Sequence, residues 1–176
     1  ILFSENQGGL PRKAAMNPKK ARPVTDVDAI QPLIEDMLET MYHSPDGVGL
    51  ASTQVARQEA VIVIDYSETR DQPLILLNPH ITTTSDEMVC GTEGCLSIPD
   101  YYADVARYSA ITVSALDREG RSIQLEADGF LAIALQHEID HLNGVLFIDH
   151  LSPLKRNIAL RKAKRIKRAQ YQDWVR

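Results

Sequence analysis

Residues 128–143, DGFLAIALQHEIDHLN, constrain the fold more than any other stretch of this chain. Asp128 is a helix start signal and Asn143-Gly144 a stop, so the stretch predicts a helix. It is apolar on most sides up to Gln136, which places it in the middle of the fold with other elements packed around it. Its last turns nevertheless carry His137-Glu138-Ile139-Asp140-His141. On a helix, positions i and i+4 lie one turn apart on one face, so both imidazoles can reach a single metal ion. Glu138 is rotated by about 100° from His137 and can bond a metal-bound water without ligating. The plain alternative is a pair of helix-face histidines with no ligand.

The rest of the chain supplies what such a helix needs around it. Residues 28–42 have apolar side chains at Ile30, Leu33, Ile34, Met37, Leu38, Met41 and Tyr42, the spacing of an amphipathic helix. Thr25, Asp26 and Asp28 are its cap candidates, Pro32 is tolerable near the first turn, and Ser44-Pro45-Asp46-Gly47 ends it. VIVID (61–65) and LILLN (74–78) are short apolar runs bounded by turn signals, as strands are. ITVSAL (111–116) and SIQLEA (122–127) flank Asp117-Arg118-Glu119-Gly120 as a hairpin, and VLFID (145–149) predicts a last strand. One helix, then strands, then a buried helix against them is an α+β order, with mixed or antiparallel sheets around the central helix. Residues 1–24 have no period and read as an irregular arm, 25–154 as the main domain, and 155–176 as a basic C-terminal helix opened by Ser152-Pro153.

A catalytic metal site needs a third protein ligand and an open position. No Glu follows Glu138, so the completion by a downstream Glu is absent. The completion HExxHxxGxxH has Phe147 at its final position, and His150 comes three residues too late. The strong ligand type that remains is a thiolate. Cys95 sits in a glycine-containing stretch, Glu93-Gly94-Cys95-Leu96-Ser97, between strands, whereas nothing around Cys90 resembles a binding turn. Cys90 is expected to be a small buried hydrophobe. A third feature is Gly47-Val48-Gly49-Leu50-Ala51-Ser52-Thr53-Gln54. Its two glycines permit close backbone approach of a ligand, or simply make a helix-exit turn. It is no dinucleotide fingerprint, because the third glycine and a preceding strand are missing.

Charge divides the 176 residues unevenly. Residues 155–176 hold nine Lys/Arg against one acid, while the other 154 hold ten Lys/Arg against twenty-three acids, for a net of −5. The acidic body and basic tail suggest that the tail alone meets a polyanion, or that it is a solvated helix. No run of 18 apolar residues exists, so no spanning helix is expected and no membrane partner. The first residues lack the apolar core of a secretory signal, and two cysteines cannot staple a chain this long, so a soluble, reducing compartment is expected.

Together, GVGLASTQ (47–54), EGCLS (93–97) and QHEIDHLNG (136–144) resemble the three motifs of the peptide deformylase family, GΦGΦAAxQ, EGCΦS and QHExDHΦxG with Φ apolar, in the same order. The likeness runs from about Val24 to Leu154. Ser52 stands where the family has its second Ala, and residues 3–22 do not match the family's usual opening strand. The resemblance implies a cytoplasmic, bacterial-type hydrolase that removes the formyl group from the N-terminal formyl-methionine of new proteins. It implies one divalent metal, ferrous iron in the cell, with Zn2+, Ni2+ or Co2+ as possible substitutes, and a monomer is expected. A zinc endopeptidase, or a non-catalytic metal-stabilised fold binding RNA, is the competing reading.

The same resemblance assigns roles. Cys95, His137 and His141 hold the ion, and Glu138 moves the proton. The Gln54 side-chain amide and the backbone N–H of Leu96 serve the oxyanion. Gly49 meets the substrate backbone, laid extended like an added strand. A slot for the Met side chain follows from Ile133 and Ala134, on the His137 face, with Phe130 one turn back and Val48 and Leu96 from the other motifs. Tyr101 and Tyr102 are candidates for the cleft rim. Asp140 is a candidate partner for a ligand imidazole or for a helix-face ion pair, and Arg107 for Glu93. The tail's Lys155, Arg156, Arg161, Lys162, Lys164, Arg165, Lys167 and Arg168 are expected to meet ribosomal RNA phosphates, because family members with a C-terminal helix are thought to dock through it.

Overall fold

The computed structural model describes residues 19–45, 47–95 and 97–174, with side chains as far as 166. The first helix, α1 (Val27–His43), begins where Asp26 accepts a 3.0 Å hydrogen bond from the Ala29 N–H. Strands β1 (Gly49–Ala51), β2 (Val61–Ile64), β3 (Leu74–Thr84), β6 (Ala110–Leu116) and β7 (Ser122–Asp128) form one antiparallel sheet in the order β1-β2-β3-β6-β7. Strands β4 (Met88–Cys95) and β5 (Ile98–Tyr108) pair separately as a long hairpin. Helix α2 (Gly129–Leu142) packs against both, and α3 (Pro153–Trp174) closes the far side. The expected α+β fold with a central HExxH helix is what the chain forms.

The four residues of β2 show why. All are buried, because helices cover both sides of the sheet. Val61 and Val63 face the α1 cluster with Ile34, Met37 and Leu77, whereas Ile62 and Ile64 face the α2 cluster with Leu76, Leu135 and Ile139. A third cluster joins Cys95, Ile98 and Val105 of the hairpin to Phe147, Ile148, Ala159 and Ala163. The small residues Ala159 and Ala163, four apart, let α3 lie close against the body.

Two local expectations, for VLFID and for Cys90, are corrected, and a hairpin that the sequence does not announce is added. VLFID is no strand: Phe147–His150 is a 3-10 turn in which both Phe147 and Ile148 are buried, so the strand alternation is absent. Asp149 closes it, its side chain accepting from the Leu146 N–H at 2.9 Å. Strands β4 and β5 carry no apolar run, since β4 alternates exposed and half-buried positions until Glu93, Gly94 and Cys95. Cys90 lies on the solvent side of that alternation and is exposed rather than buried. Residues 1–18 of the arm lie outside the described residues. The following ones are stitched in place: Arg22 bridges Glu59, and Asn78 makes paired hydrogen bonds with the Val24 backbone at 2.7 and 3.0 Å.

Candidate metal centre

Helix α2 delivers His137 and His141 to one point, one turn apart, and the end of β4 delivers Cys95 to the same point. The three ligand atoms lie within 4.8 Å of one another and all three residues are buried. His137 Nε2 is 3.1 Å from His141 Nε2, which is 3.2 Å from Cys95 Sγ. Two nitrogens bound at about 2.0–2.1 Å to one tetrahedral ion stand about 3.3 Å apart, so this donor set fits a divalent metal. Among the described residues it is the one such cluster of His, Cys, Asp and Glu.

The electrostatics suit a thiolate. Burial alone pushes the Cys95 thiol up, but the His141 charge and hydrogen bonds from His137 and His141 outweigh it and hold the thiol well below its usual range. The thiolate is the form that ligates. Two further donors point at it: the Ser97 backbone N–H at 3.4 Å and the Gln54 Nε2 at 3.5 Å. The Gln54 amide cannot be turned round, because its Oε1 accepts from the Ala51 N–H at 2.9 Å. Its NH2 is therefore the end presented to the metal centre. Leu96 lies outside the described residues.

Glu138 is fully buried on the neighbouring face of α2, packed on the backbone of β1. A Cβ placed on Gly49 would stand 2.9 Å from Glu138 Oε1 and 3.2 Å from its Cδ and Cγ. This glycine leaves the room the carboxylate occupies. With the proton-moving role that the resemblance assigns to Glu138, Gly49→Ala is expected to lower kcat by about tenfold or more through displacement of the carboxylate. The unfolding midpoint should change little, which a paired turnover and melting measurement checks.

The loop leading into Gly49 is held by a residue that motif reading missed. Arg70 donates to the carbonyls of Met41, Ser44 and Gly47 at 3.3, 3.0 and 3.0 Å and also bonds the Pro45 carbonyl. Its guanidinium lies 5.5 Å over the Tyr42 ring, whose hydroxyl donates to Asp65 at 2.6 Å. Ser52, the departure from the family pattern, is fully buried and donates to the Glu59 carbonyl at 2.5 Å. The extra hydroxyl is satisfied.

The partner of the His137 imidazole is Glu93, and of the two roles open to Asp140 it is the ion pair that forms. Glu93 Oε2 sits 2.8 Å from His137 Nδ1, and Arg107 forks onto both Glu93 oxygens at 2.7 and 3.0 Å. Burial would raise the Glu93 carboxyl, but the bonds from His137 and Arg107 hold it at about 2. On a strand, i and i+2 share a face, so a carboxylate two residues before Cys95 was the available signal. Asp140 instead takes the third Arg107 nitrogen at 2.6 Å.

The slot candidates are placed as follows. Ala134 is buried inside the α2 cluster, Phe130 and Ile133 are half-buried against it, and Val48 is half-buried before β1. The Phe130 ring is 6.3 Å from that of Tyr66, and Ile133 faces Gly91 of β4. Tyr102 covers Gly94, where any Cβ would strike its ring at 2.4 Å. Tyr101 packs on Phe147 and bonds the Lys155 carbonyl of α3.

The model of the polypeptide deformylase family matches residues 13–157. This chain belongs to the polypeptide deformylase family. The match begins upstream of Val24, so the likeness reaches into the arm. Peptide deformylase 3 of Shewanella oneidensis is 61% identical over 147 residues, covering 84% of this chain and 90% of the relative. Peptide deformylase 2 of Vibrio parahaemolyticus is 59% identical over 151 residues, covering 86% and 89%. The crystal structure of a peptide deformylase from Legionella pneumophila superposes with a TM-score of 0.81 at 43% identity, covering 88% of this chain and 90% of that one. As a deformylase, the chain is a hydrolase that removes the formyl group from nascent peptides. The endopeptidase and RNA-binding readings are not favoured. No described helix is long and apolar enough to cross a membrane.

Proposed function

We propose that this deformylase works at a single metal centre held by Cys95, His137 and His141, and that residues 25–154 are its catalytic domain. The observation that carries the proposal is the convergence of three buried ligand atoms from β4 and α2, with Glu138 fully buried one residue from His137. The resemblance points to ferrous iron as the ion in the cell, although a Cys-His-His set suits several divalent metals. Bound there, the ion supplies a Lewis acid and brings the pKa of a water toward neutrality.

This chain's own residues do the rest. Glu138 takes the proton from the attacking water and returns it to the leaving amine. The Gln54 NH2, locked by Ala51, donates to the oxygen on which charge develops, together with the Leu96 backbone N–H. Gly49 offers its backbone to the extended substrate. Val48, Leu96, Phe130, Ile133 and Ala134 receive the Met side chain. The test is anaerobic incubation of the iron-loaded protein with formyl-Met peptides and with unformylated casein. Formate release without internal cleavage is expected; internal cleavage of casein would overturn the proposal.

The enzyme is cytoplasmic and monomeric in this reading, and its tail docks on ribosomal RNA. Support comes from the faces of α3: Lys155, Arg161, Lys162, Lys164 and Arg165 are exposed while Ala159 and Ala163 are buried. Arg156 bonds Asp149, and Lys162 the Asp100 carbonyl, so these two also brace the helix. Cutting the chain at Leu154 would strip Ala159 and Ala163 from the cluster that contains Phe147 and Cys95. Charge reversal is the cleaner test. Arg161→Glu with Lys164→Glu and Arg165→Glu is expected to weaken co-sedimentation with ribosomes at least tenfold at moderate salt. Turnover of a short formyl peptide should stay within about twofold. Unchanged co-sedimentation would count against docking.

A further inference from the structure

The support behind His137 does not end at Glu93. Arg107, 4% exposed, spends Nε and Nη2 on Glu93, and its Nη1 on Asp140 Oδ2 at 2.6 Å. The same Asp140 oxygen lies 2.7 Å from His150 Nε2. His150 Nε2 is also 3.3 Å from Arg107 Nη1. A guanidinium nitrogen has no lone pair to offer, and the carboxylate is the better and nearer acceptor, so Nε2 carries the proton and points at Asp140. A continuous line of charge-assisted hydrogen bonds thus runs His137–Glu93–Arg107–Asp140–His150. It goes from a fully buried ligand to a side chain 37% exposed at the surface.

The arithmetic of the line shows what its last member does. Two carboxylates share one guanidinium, so without a further donor Asp140 has only Arg107 to hold it and is itself 23% exposed. Asp140 and His137 stand three residues apart on α2, yet the hydrogen bonds that join their side chains among the described residues run through Glu93 of β4 and Arg107 of β5. If Asp140 swings to solvent, Arg107 loses the contact that fixes its plane, and the fork that aims Glu93 at His137 Nδ1 is held at one end only. His150, on the 3-10 turn after α2, removes that freedom. We propose that His150 is a positioning residue for the metal centre, fixing the Arg107 fork through Asp140 and thereby slowing loss of the ion. This rests on the ligand set proposed above.

The experiment uses the full chain loaded with Co2+ under anaerobic conditions. Its near-ultraviolet thiolate-to-metal absorption is followed after excess chelator is added. His150→Ala is expected to release Co2+ about 3- to 10-fold faster, less than the 10–100-fold typical of a direct partner of a ligand. His150→Gln keeps an N–H donor at the Nε2 position and should return to within about twofold of the unaltered protein. Arg156→Ala breaks the Asp149 pair on the same turn without touching Asp140, and should release Co2+ at the unaltered rate. Equal release from His150→Ala and the unaltered protein would overturn the proposal, and so would acceleration by Arg156→Ala to the same degree, which marks general loosening of the turn. Absence of the thiolate band in the unaltered protein would instead remove the ligand set itself, a distinguishable result.

Discussion

Glu138→Ala is expected to end formate release from formyl-Met peptides while leaving the metal in place. A positioned general base and acid contributes on the order of 10²–10⁴ in rate. In the proposed mechanism one carboxylate serves both in taking the water's proton and in giving it to the amine, so the loss belongs at the upper end of that range or beyond. The side chain is fully buried beside Gly49, and against the cost of that burial the charges of His137 and His141 help to hold its carboxyl below the usual range, so its removal is read against stability as well as rate. Cys95, His137 and His141, the proposed ligands, are untouched by the change. The measurement is a formate-coupled rate alongside metal content and the unfolding midpoint. Activity within tenfold of the unaltered enzyme would remove Glu138 from the proton-transfer role, and loss of metal would show that it supports the site instead.

The parts of this molecule written in apolar periodicity were legible. Helix α1 carries its stripe from Ile30 to Met41, and α2 carries both its caps and its unusual evenness of apolar faces. The β6–β7 hairpin announced itself through Asp117-Arg118-Glu119-Gly120. The β4–β5 hairpin did not, because one of its faces is turned to solvent and its inner end holds Glu93, Gly94 and Cys95 rather than a hydrophobic run. Its register is set across the strands, for instance by the Tyr102 ring seated on Gly94. No local pattern encodes that contact. The candidate ligand triad is narrowed by elimination, since helical spacing pairs the two histidines and the missing downstream Glu leaves the thiolate as the strong ligand type. The supports were harder. Glu93 shares the Cys95 side of a strand that no apolar run marks, so Asp140 on the visible helix offers itself both for an imidazole and for an ion pair, and the ion pair is what forms. Arg70 and His150 act through contacts 23 or more residues apart or across a turn that resembled a strand, and neither sits in a motif.

Cys95→Ala separates ligation from chemistry. It is expected to leave the purified protein with well below one metal per chain and to cost at least about 10³ in formate release, the order at which general acid–base catalysis and ion binding fail together. The physical reason is that the thiolate is the only anion among the three donors. Two neutral imidazoles 3.1 Å apart retain an ion far more weakly than they do with a thiolate beside them. Removal of the sulfur should disturb packing little, about 1 kcal/mol, because Ile98, Val105 and Phe147 close around a small side chain. Cobalt loading gives an independent readout, since the near-ultraviolet thiolate band requires a sulfur ligand and should vanish. Set against Glu138→Ala, the outcomes differ in kind: one variant keeps its ion and loses proton transfer, the other loses the ion first. A Cys95→Ala protein that holds a full complement of metal and still releases formate would place the third ligand elsewhere, and the meeting of β4 with α2 would no longer explain the catalysis.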